Sequence, residues 1–569
     1  MADKILVAVA WPYANGPLHV GHIAGAYLPA DIFARYQRLR GNDVLMVSGS
    51  DCHGTPITLQ AASEGITPQD VIRRYHASFL ESFLGLGIGF DLFTQTYTAN
   101  HYAVTSDFFQ KLLAGGYLYK ESALASYSES LGRFLPDRFV EGVCPNCGYA
   151  RARGDQCENC GRLHDSSDLI EPHSTLDGAP VTFRESEQFI LDLGKLEPAL
   201  RGWLESRDRS YWRDNVLQFT TNLLRGGLHG RAITRDIEWG VPVPVESEHF
   251  KDKRIYVWFD AVIGYYSASI EWAQRAGSPD GWRAWWEDAD VRSYYFIGKD
   301  NIPFHSIIWP AMLLGHGGLA LPYDVPANEF YNLEGQKMST SRGSALWAND
   351  LRKRFDPDAL RYYLAASAPE GRDTNWYSSE FVRRNNDELV ATWGNLVNRV
   401  LNIAHRNFGV VPEPGQLDEG DRAILAAGAE GFDRVGALLG SVQLKAALQE
   451  AFSLAQRTNQ YISEQEPWKL VKTNTARARS VIYTGLQLVD YLKVLLCPFL
   501  PFTCQRLHEM LGYAGTLAPQ PVLGEGLDPD GMTRPVLTGD YETTPRWKPT
   551  PVPIGQAVHA PSILFTKLE

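Results

Sequence analysis

A run of six apolar residues, Ile5 to Ala10, ends on the turn Trp11-Pro-Tyr-Ala-Asn-Gly-Pro17 and passes at once into a helical pattern. A continuous apolar run of that length reads as a strand buried on both faces, the signature of a parallel sheet covered by helices. The unit then repeats. Asp43 to Ser48 is a second buried strand, closed by Gly49-Ser-Asp-Cys-His-Gly54, and helical stretches over 68–84 and 100–113 alternate with the strands. This order predicts an α/β, doubly wound Rossmann-type sheet with its ligand crevice at the strand C-termini.

At 569 residues the chain is too long for a single core. From about Gly116 to Pro244 the alternation stops and cysteines and turn residues take over, as in an insertion. It resumes with Arg254–Phe259 and Ser293–Ile297, taken as the second half of the same sheet. Beyond Ser378 strand signals cease, and long helical patterns over 380–407, 421–439, 442–463 and 476–511 predict an antiparallel bundle. The expected divisions are 1–115 and 251–323 for the split sheet domain, 116–250 for the insertion, 324–378 for a connecting region, 379–517 for the bundle and 518–569 for a Pro- and Gly-rich wrapping tail.

Two CxxC knuckles, Cys144-Pro-Asn-Cys147 and Cys157-Glu-Asn-Cys160, stand nine residues apart, each followed by glycine. Two tight turns bring four thiolates around one tetrahedral ion, and four sulfur ligands leave no open position, so one structural Zn2+ is expected. A redox role for a single CxxC pair is the weaker alternative. Seven cysteines, an odd number, argue for a reducing compartment rather than a disulfide framework. The N-terminus has no signal-peptide pattern, and the apolar stretch 489–502 is broken by Lys493, Pro498 and Pro501. The expectation is a soluble, cytoplasmic protein with no membrane partner. A net charge of -12 weighs against sequence-independent nucleic-acid binding, but not against an RNA read by shape and splayed bases.

The string His19-Val-Gly-His22 follows the first strand at a helix start, where free N–H groups and the helix dipole favour an anion. Gly21 lets a purine lie against the backbone, and two imidazoles three residues apart can share an α-phosphate whose charge grows during displacement. Lys337-Met-Ser-Thr-Ser341, between Gly335 and Gly343, is a glycine-flanked loop whose ammonium can close on a pyrophosphate leaving group. Either string alone fits an ordinary helix start or polar turn. Together, at opposite ends of a doubly wound domain, they resemble the two signature sequences of the class I aminoacyl-tRNA synthetases. The departure is Thr340, where the family's second lysine is usual.

Within that class the chain resembles the methionyl family from Val7 to Phe565. The resemblance implies that L-methionine is activated with ATP and Mg2+ to its adenylate and passed to the 3' end of initiator and elongator tRNA(Met), by a methionine–tRNA ligase needed in elongation and initiation. It implies catalytic roles for His19, His22 and Lys337, and ATP contacts at Gly21, Gly298, Asp300, Lys337 and Thr340. The methionine pocket would be Ala10, Trp11, Tyr13, Asp51, Trp258, Val262, Tyr265, Asn301, His305 and Trp309. Asp51 would pair with the substrate ammonium, and Tyr265 or His305 would face its sulfur. Asn301, His305 and Trp309, four apart, are expected on one helical face. Asn395, Arg399 and Trp468 match the anticodon-reading positions, with Trp468 placed to stack a base. The insertion would be a connective domain with the zinc knuckle, Cys144, Cys147, Cys157 and Cys160. The chain ends near the family core, so a monomer is expected.

Alternatives each leave something unexplained. A small-molecule nucleotidylyltransferase has no use for the bundle, and a non-catalytic tRNA-binding relative has no use for both nucleotide motifs. Isoleucyl and valyl enzymes need a larger editing insertion. A cysteinyl enzyme would need its zinc in the pocket.

Overall fold

The computed structural model describes residues 2–154, 157, 159–160, 164–336, 338, 345–541, 544 and 546–569. Among them, seven strands form the main sheet: β1 (Lys4–Val9), β2 (Asp43–Ser50), β3 (Leu92–Gln95), β4 (Arg292–Gly298), β5 (Ala327–Asn328), β6 (Val522–Leu527) and β7 (Thr533–Thr538), in spatial order β5-β4-β1-β2-β3-β7-β6. The first five in that order are parallel. The order reverses between β1 and β4, so the crevice opens beyond their C-termini, where Ala10 N–H bonds to the Phe296 carbonyl at 3.0 Å.

Two expectations about the strands fail. Arg254–Phe259 is not a strand of this sheet: Arg254–Ile255 pairs with Thr234–Arg235 and bridges Pro242, and a helix, Val257–Arg275, begins at once with Asp260 in its first turn. An apolar run too short to show a period does not distinguish a strand from a buried helix start. Strands also recur beyond Ser378. The tail returns as the hairpin β6–β7, and β7 lies antiparallel beside β3. Buried Arg534 holds it there, pairing with Asp528 at 3.1 Å and Glu271 at 3.3 Å. The His76 imidazole adds a bond, Nε2–H to the Pro535 carbonyl at 2.8 Å, while its Nδ1 accepts from the Ser50 hydroxyl at 2.7 Å.

The insertion is a β structure. Strands Leu118–Ser128 and Thr182–Leu191 pair antiparallel along their length, forming a stalk for a smaller sheet of Val140–Val143, Ala152–Arg153 and Ile170–Ser174 that carries the cysteines. Helices Leu193–Glu205 and Asp214–Arg225 follow. The bundle comprises Ser378–Asn407 (through a π segment, Asn385–Gly394), Glu419–Gly440, Leu444–Gln465, Pro467–Thr473, Thr475–Leu496 and Pro501–Met510. The expected single helix over 476–511 is two, because Pro498 and Pro501 cannot continue the backbone hydrogen-bond ladder. Among the described residues no helix is long and apolar enough to cross a membrane.

One buried carboxylate ties the sheet domain to the bundle. Asp31, on helix Leu28–Leu39, pairs with Arg35 at 2.9 Å and with Arg361, on helix Pro357–Ala366, at 2.7 Å. Arg361 also donates to the carbonyls of Leu86 (3.0 Å), Pro498 (2.8 Å) and Phe499 (2.9 Å), and Arg35 to that of Pro519 (3.0 Å). Burial alone would raise the Asp31 carboxyl, but the two guanidinium groups and the Gly89 N–H hold it below the usual carboxylate range. A depressed carboxylate contributes stability above its unfolded value that disappears as pH falls through the folded one. Asp31→Asn is therefore expected to cost about 3–5 kcal/mol by leaving buried guanidinium charge uncompensated. Chemical denaturation checks this, and the deficit against the unaltered protein should shrink in acid.

Candidate functional site

The crevice is assembled from segments after β1, β2 and β4. His19 caps the helix that begins at Val20, and its ring stacks on that of His22 with centroids 3.7 Å apart. The His19 main-chain N–H donates to His22 Nδ1 at 3.2 Å, so the proton of neutral His22 sits on Nε2. Burial lowers His19 to about 4, and burial together with His19 holds His22 well below its ordinary value. Both rings are therefore neutral donors here rather than fixed charges. Gly21 is required by this fold-back, since a Cβ there would lie 2.9 Å from the His19 ring and 3.1 Å from the Tyr331 carbonyl.

The chain flanking the second motif reaches the first. Val20 N–H bonds to the Leu346 carbonyl at 2.9 Å and Ala348 N–H to that of Leu18 at 2.9 Å. Lys337 and Thr340 lie outside the described residues. Across the crevice, Gly298 ends β4, and the exposed Asp300 follows in a short turn, its Oδ1 accepting from the Asn301 amide at 3.5 Å.

Next to these, a cavity of about 80 Å³ is lined by Ala10, Trp11, Tyr13, Asp51, Trp258, Val262, Tyr265, Asn301 and His305, with Ala261 and Phe304 added. The last two were missed because small or apolar residues on a helix look like core. Trp11 fits only because two glycines flank its indole. A Cβ on Gly49 would lie 2.2 Å from it, and one on Gly264 2.7 Å. Trp258 Nε1–H donates to the Tyr13 hydroxyl at 3.2 Å. His305 Nδ1–H donates to the Asn301 carbonyl at 2.9 Å, so Nε2 accepts the Tyr265 hydroxyl at 2.7 Å; burial lowers this imidazole to about 4 and keeps it neutral. Of the pair, only the Tyr265 hydroxyl carries a proton that could turn toward a ligand.

Trp309 does not join this wall. A π turn, Phe304–Ile308, adds a residue to the helix and shifts its phase. Trp309 is fully buried instead, packing on Phe108 and Trp286 and donating to the Tyr295 hydroxyl at 3.0 Å. Arg235 is a further cation near this wall that the sequence reading missed. It lies over the Tyr256 ring at 4.3 Å and 3.5 Å from Asp137, beside a small cleft shared with Tyr13 and Trp258. A lone arginine in a two-residue strand carries no signal in sequence.

In the insertion, Cys144 and Cys160 sulfurs are 3.9 Å apart and Cys147 and Cys157 3.6 Å, and all four lie within 4.8 Å of one another. Zn–S bonds of about 2.3 Å in a tetrahedron place sulfurs about 3.8 Å apart, while a disulfide needs about 2.05 Å. The donor set therefore fits zinc. Asn146 donates to Cys160 Sγ at 3.5 Å and Asn159 to Cys147 Sγ at 3.6 Å, so each knuckle stabilises a sulfur of the other. Gly148, at φ 73°, makes the first turn possible.

On the bundle, Arg399 lies over the Trp468 ring at 5.0 Å and donates to the Ser463 hydroxyl at 3.3 Å. Asn395 is exposed one turn earlier on the same helix. Trp468 is 37% exposed, so it is not a core residue.

A family model described as "tRNA synthetases class I (M)" matches residues 5–401, and one described as "Anticodon binding domain of methionyl tRNA ligase" matches 411–523. The methionine–tRNA ligase of Roseiflexus sp. (strain RS-1) is 68% identical over 575 residues, covering 100% of this chain and 97% of that protein. That of Chloroflexus aggregans is 53% identical over 587 residues, with 100% and 97% covered. The crystal structure of Mycobacterium tuberculosis methionyl-tRNA synthetase bound by methionyl-adenylate superposes with a TM-score of 0.77 at 26% identity, covering 100% of both chains.

Proposed function

Because the chain belongs to the methionyl class I tRNA synthetases and is a methionine–tRNA ligase, we propose that the cavity behind Trp11 and Tyr13 is its methionine site and the adjoining histidine cap its ATP site. The observation that carries this reading is the cavity wall itself: aromatic and aliphatic groups with the carboxylate of Asp51 at one end and the Tyr265–His305 pair in the wall. A polarizable thioether suits such a wall. The Tyr265 hydroxyl would turn its proton to sulfur while Asp51 receives the ammonium.

ATP arrives as its Mg2+ complex, with Gly298 and Asp300 at its ribose and Gly21 beneath the purine. Methionine's carboxylate oxygen attacks the α-phosphorus and pyrophosphate leaves. His22 Nε2–H and the His19 ring supply hydrogen bonds where phosphate charge grows, and Lys337, with Thr340 as a lesser contact, neutralises the leaving group. The terminal ribose hydroxyl of the tRNA then attacks the carbonyl of the adenylate and AMP leaves. Asn395, Arg399 and Trp468 would read the anticodon of both initiator and elongator tRNA(Met). Residues 324–378 would contact the tRNA stem. The insertion, held by one zinc on Cys144, Cys147, Cys157 and Cys160, would guide the acceptor end. The protein is read as a cytoplasmic monomer.

ATP–pyrophosphate exchange with each of the twenty amino acids tests the substrate, and a maximum on any other than methionine would refute the pocket assignment. In that assay His22→Ala and Lys337→Ala are expected to slow adenylate formation by roughly two to three powers of ten with methionine affinity little changed. Metal analysis of fresh protein should find one equivalent of zinc, lost in Cys160→Ser together with a lowered melting temperature, since structural zinc contributes folding energy. Trp468→Ala should weaken tRNA charging by roughly one to two powers of ten, the worth of one stacked base. Exchange and melting temperature should stay near those of the unaltered protein, whereas loss of a packed core tryptophan would lower all three.

A further inference from the structure

Behind Asp51 lies a second carboxylate that the mechanism above does not use. Asp260, in the first turn of helix Val257–Arg275, is 0% exposed. Its Oδ2 accepts from His53 Nδ1–H at 2.6 Å, and its Oδ1 has no hydrogen-bond partner among the described residues. His53 faces both carboxylates, since its main-chain N–H donates to Asp51 Oδ1 at 3.3 Å. The far ring nitrogen of His53 meets the Tyr102 hydroxyl at 3.1 Å. His101 stands 3.9 Å from Asp260, but its nitrogens are taken by Ser267 at 2.8 Å and Thr105 at 3.2 Å. With the ring nitrogens of both histidines so engaged, the cluster is a hydrogen-bonded network rather than a metal cage.

A buried carboxylate with an unmet oxygen costs free energy that folding does not recover. Here it lies close enough to Asp51 for the two charges to interact. What such a pair suits is a cation arriving from outside, since among the described residues its basic neighbours are the imidazoles of His53 and His101 and no lysine or arginine pairs with it. We propose that Asp260, aligned by His53, is a positioning residue for amino-acid activation: it adds the second negative charge of the ammonium site, so that Asp51 in contact and Asp260 behind it together hold the substrate's α-ammonium. The inference rests on the reading of Asp51 given above.

A consequence follows for pH. Burial, and then the neighbouring Asp260, raise the Asp51 carboxyl well above its ordinary value, while His53 and His101 together hold the Asp260 carboxyl below its own despite burial. The other titratable groups around the pair are His101 and Tyr102 on helix Ala99–Ala114, Tyr265 and Glu271 on Asp260's own helix, and Cys52 beside Asp51. Glu271 is engaged by Arg534 and Thr94, and burial keeps His101, Tyr102, Tyr265 and Cys52 in their neutral forms. Asp51 is therefore the group whose protonation competes with the ammonium.

The test uses two probes on the full chain: methioninol, which keeps the ammonium and lacks the carboxylate, and desaminomethionine, which has the reverse. Asp51→Asn is the control. If it does not weaken methioninol selectively, the assignment of Asp51 itself fails. Granted that it does, Asp260→Asn, isosteric and able to keep a hydrogen bond to His53, is expected to weaken methioninol about tenfold or more and to leave desaminomethionine unchanged. In exchange kinetics it should raise the methionine KM with little effect on kcat. Equal loss of both probes, or loss of neither, would overturn the proposal. A second measurement needs no variant: methioninol affinity of the unaltered protein should fall as pH drops from about 8 to 5, with an inflection above the ordinary carboxylate range, while that of desaminomethionine should not fall. A flat methioninol profile would equally overturn it.

Discussion

Asp31 is the point on which the relative placement of catalytic sheet and helical bundle depends. One carboxylate neutralises two guanidinium groups, and those groups spend N–H donors on main-chain carbonyls from three separate stretches of chain. Such an ion cluster gains little net free energy over an apolar contact of the same volume, because desolvation offsets the attraction. What it supplies is direction. Carbonyls of Leu86, Pro498, Phe499 and Pro519 can meet those fixed forks in one arrangement, so the bundle is oriented and not merely attached.

The same logic of buried polar groups runs through the tail. Arg534 and the His76–Pro535 bond fasten the β6–β7 hairpin to β3, and the His76 ring is bonded to Ser50, the residue before Asp51. The last part of the chain therefore braces the substrate-facing end of β2. At the pocket, size replaces charge as the constraint. Trp11 can sit between Gly49 and Gly264 only because neither has a side chain. Three distant segments must keep their shapes together for that indole to form a wall.

The contrast between the two histidine sites is instructive. His19, His22 and His305 are all held neutral by burial, so each acts through the placement of one proton. His22 keeps its proton on Nε2, free of the backbone, whereas His305 commits its own to Asn301 and presents only a lone pair. In the reading proposed above, negative charge at the ammonium end of the pocket comes from Asp51 and from Asp260 behind it.

What could be read from the chain alone is what depends on short-range pattern. The buried strand–turn–helix at Ile5–His22, the two cysteine knuckles and the amphipathic helices of the bundle are written in spacings of two to twenty residues, where periodicity and turn chemistry act directly. Tertiary structure decided what those spacings cannot carry. A π turn moved Trp309 off the face that a four-residue repeat had assigned it, and the tail joined the sheet through a pairing more than 400 residues distant. Asp51 and Asp260 stand 209 positions apart in the sequence, and nothing near either hints at the other. Periodicity records how often a chain turns inward; which buried charge it meets there is set only when the whole chain is packed.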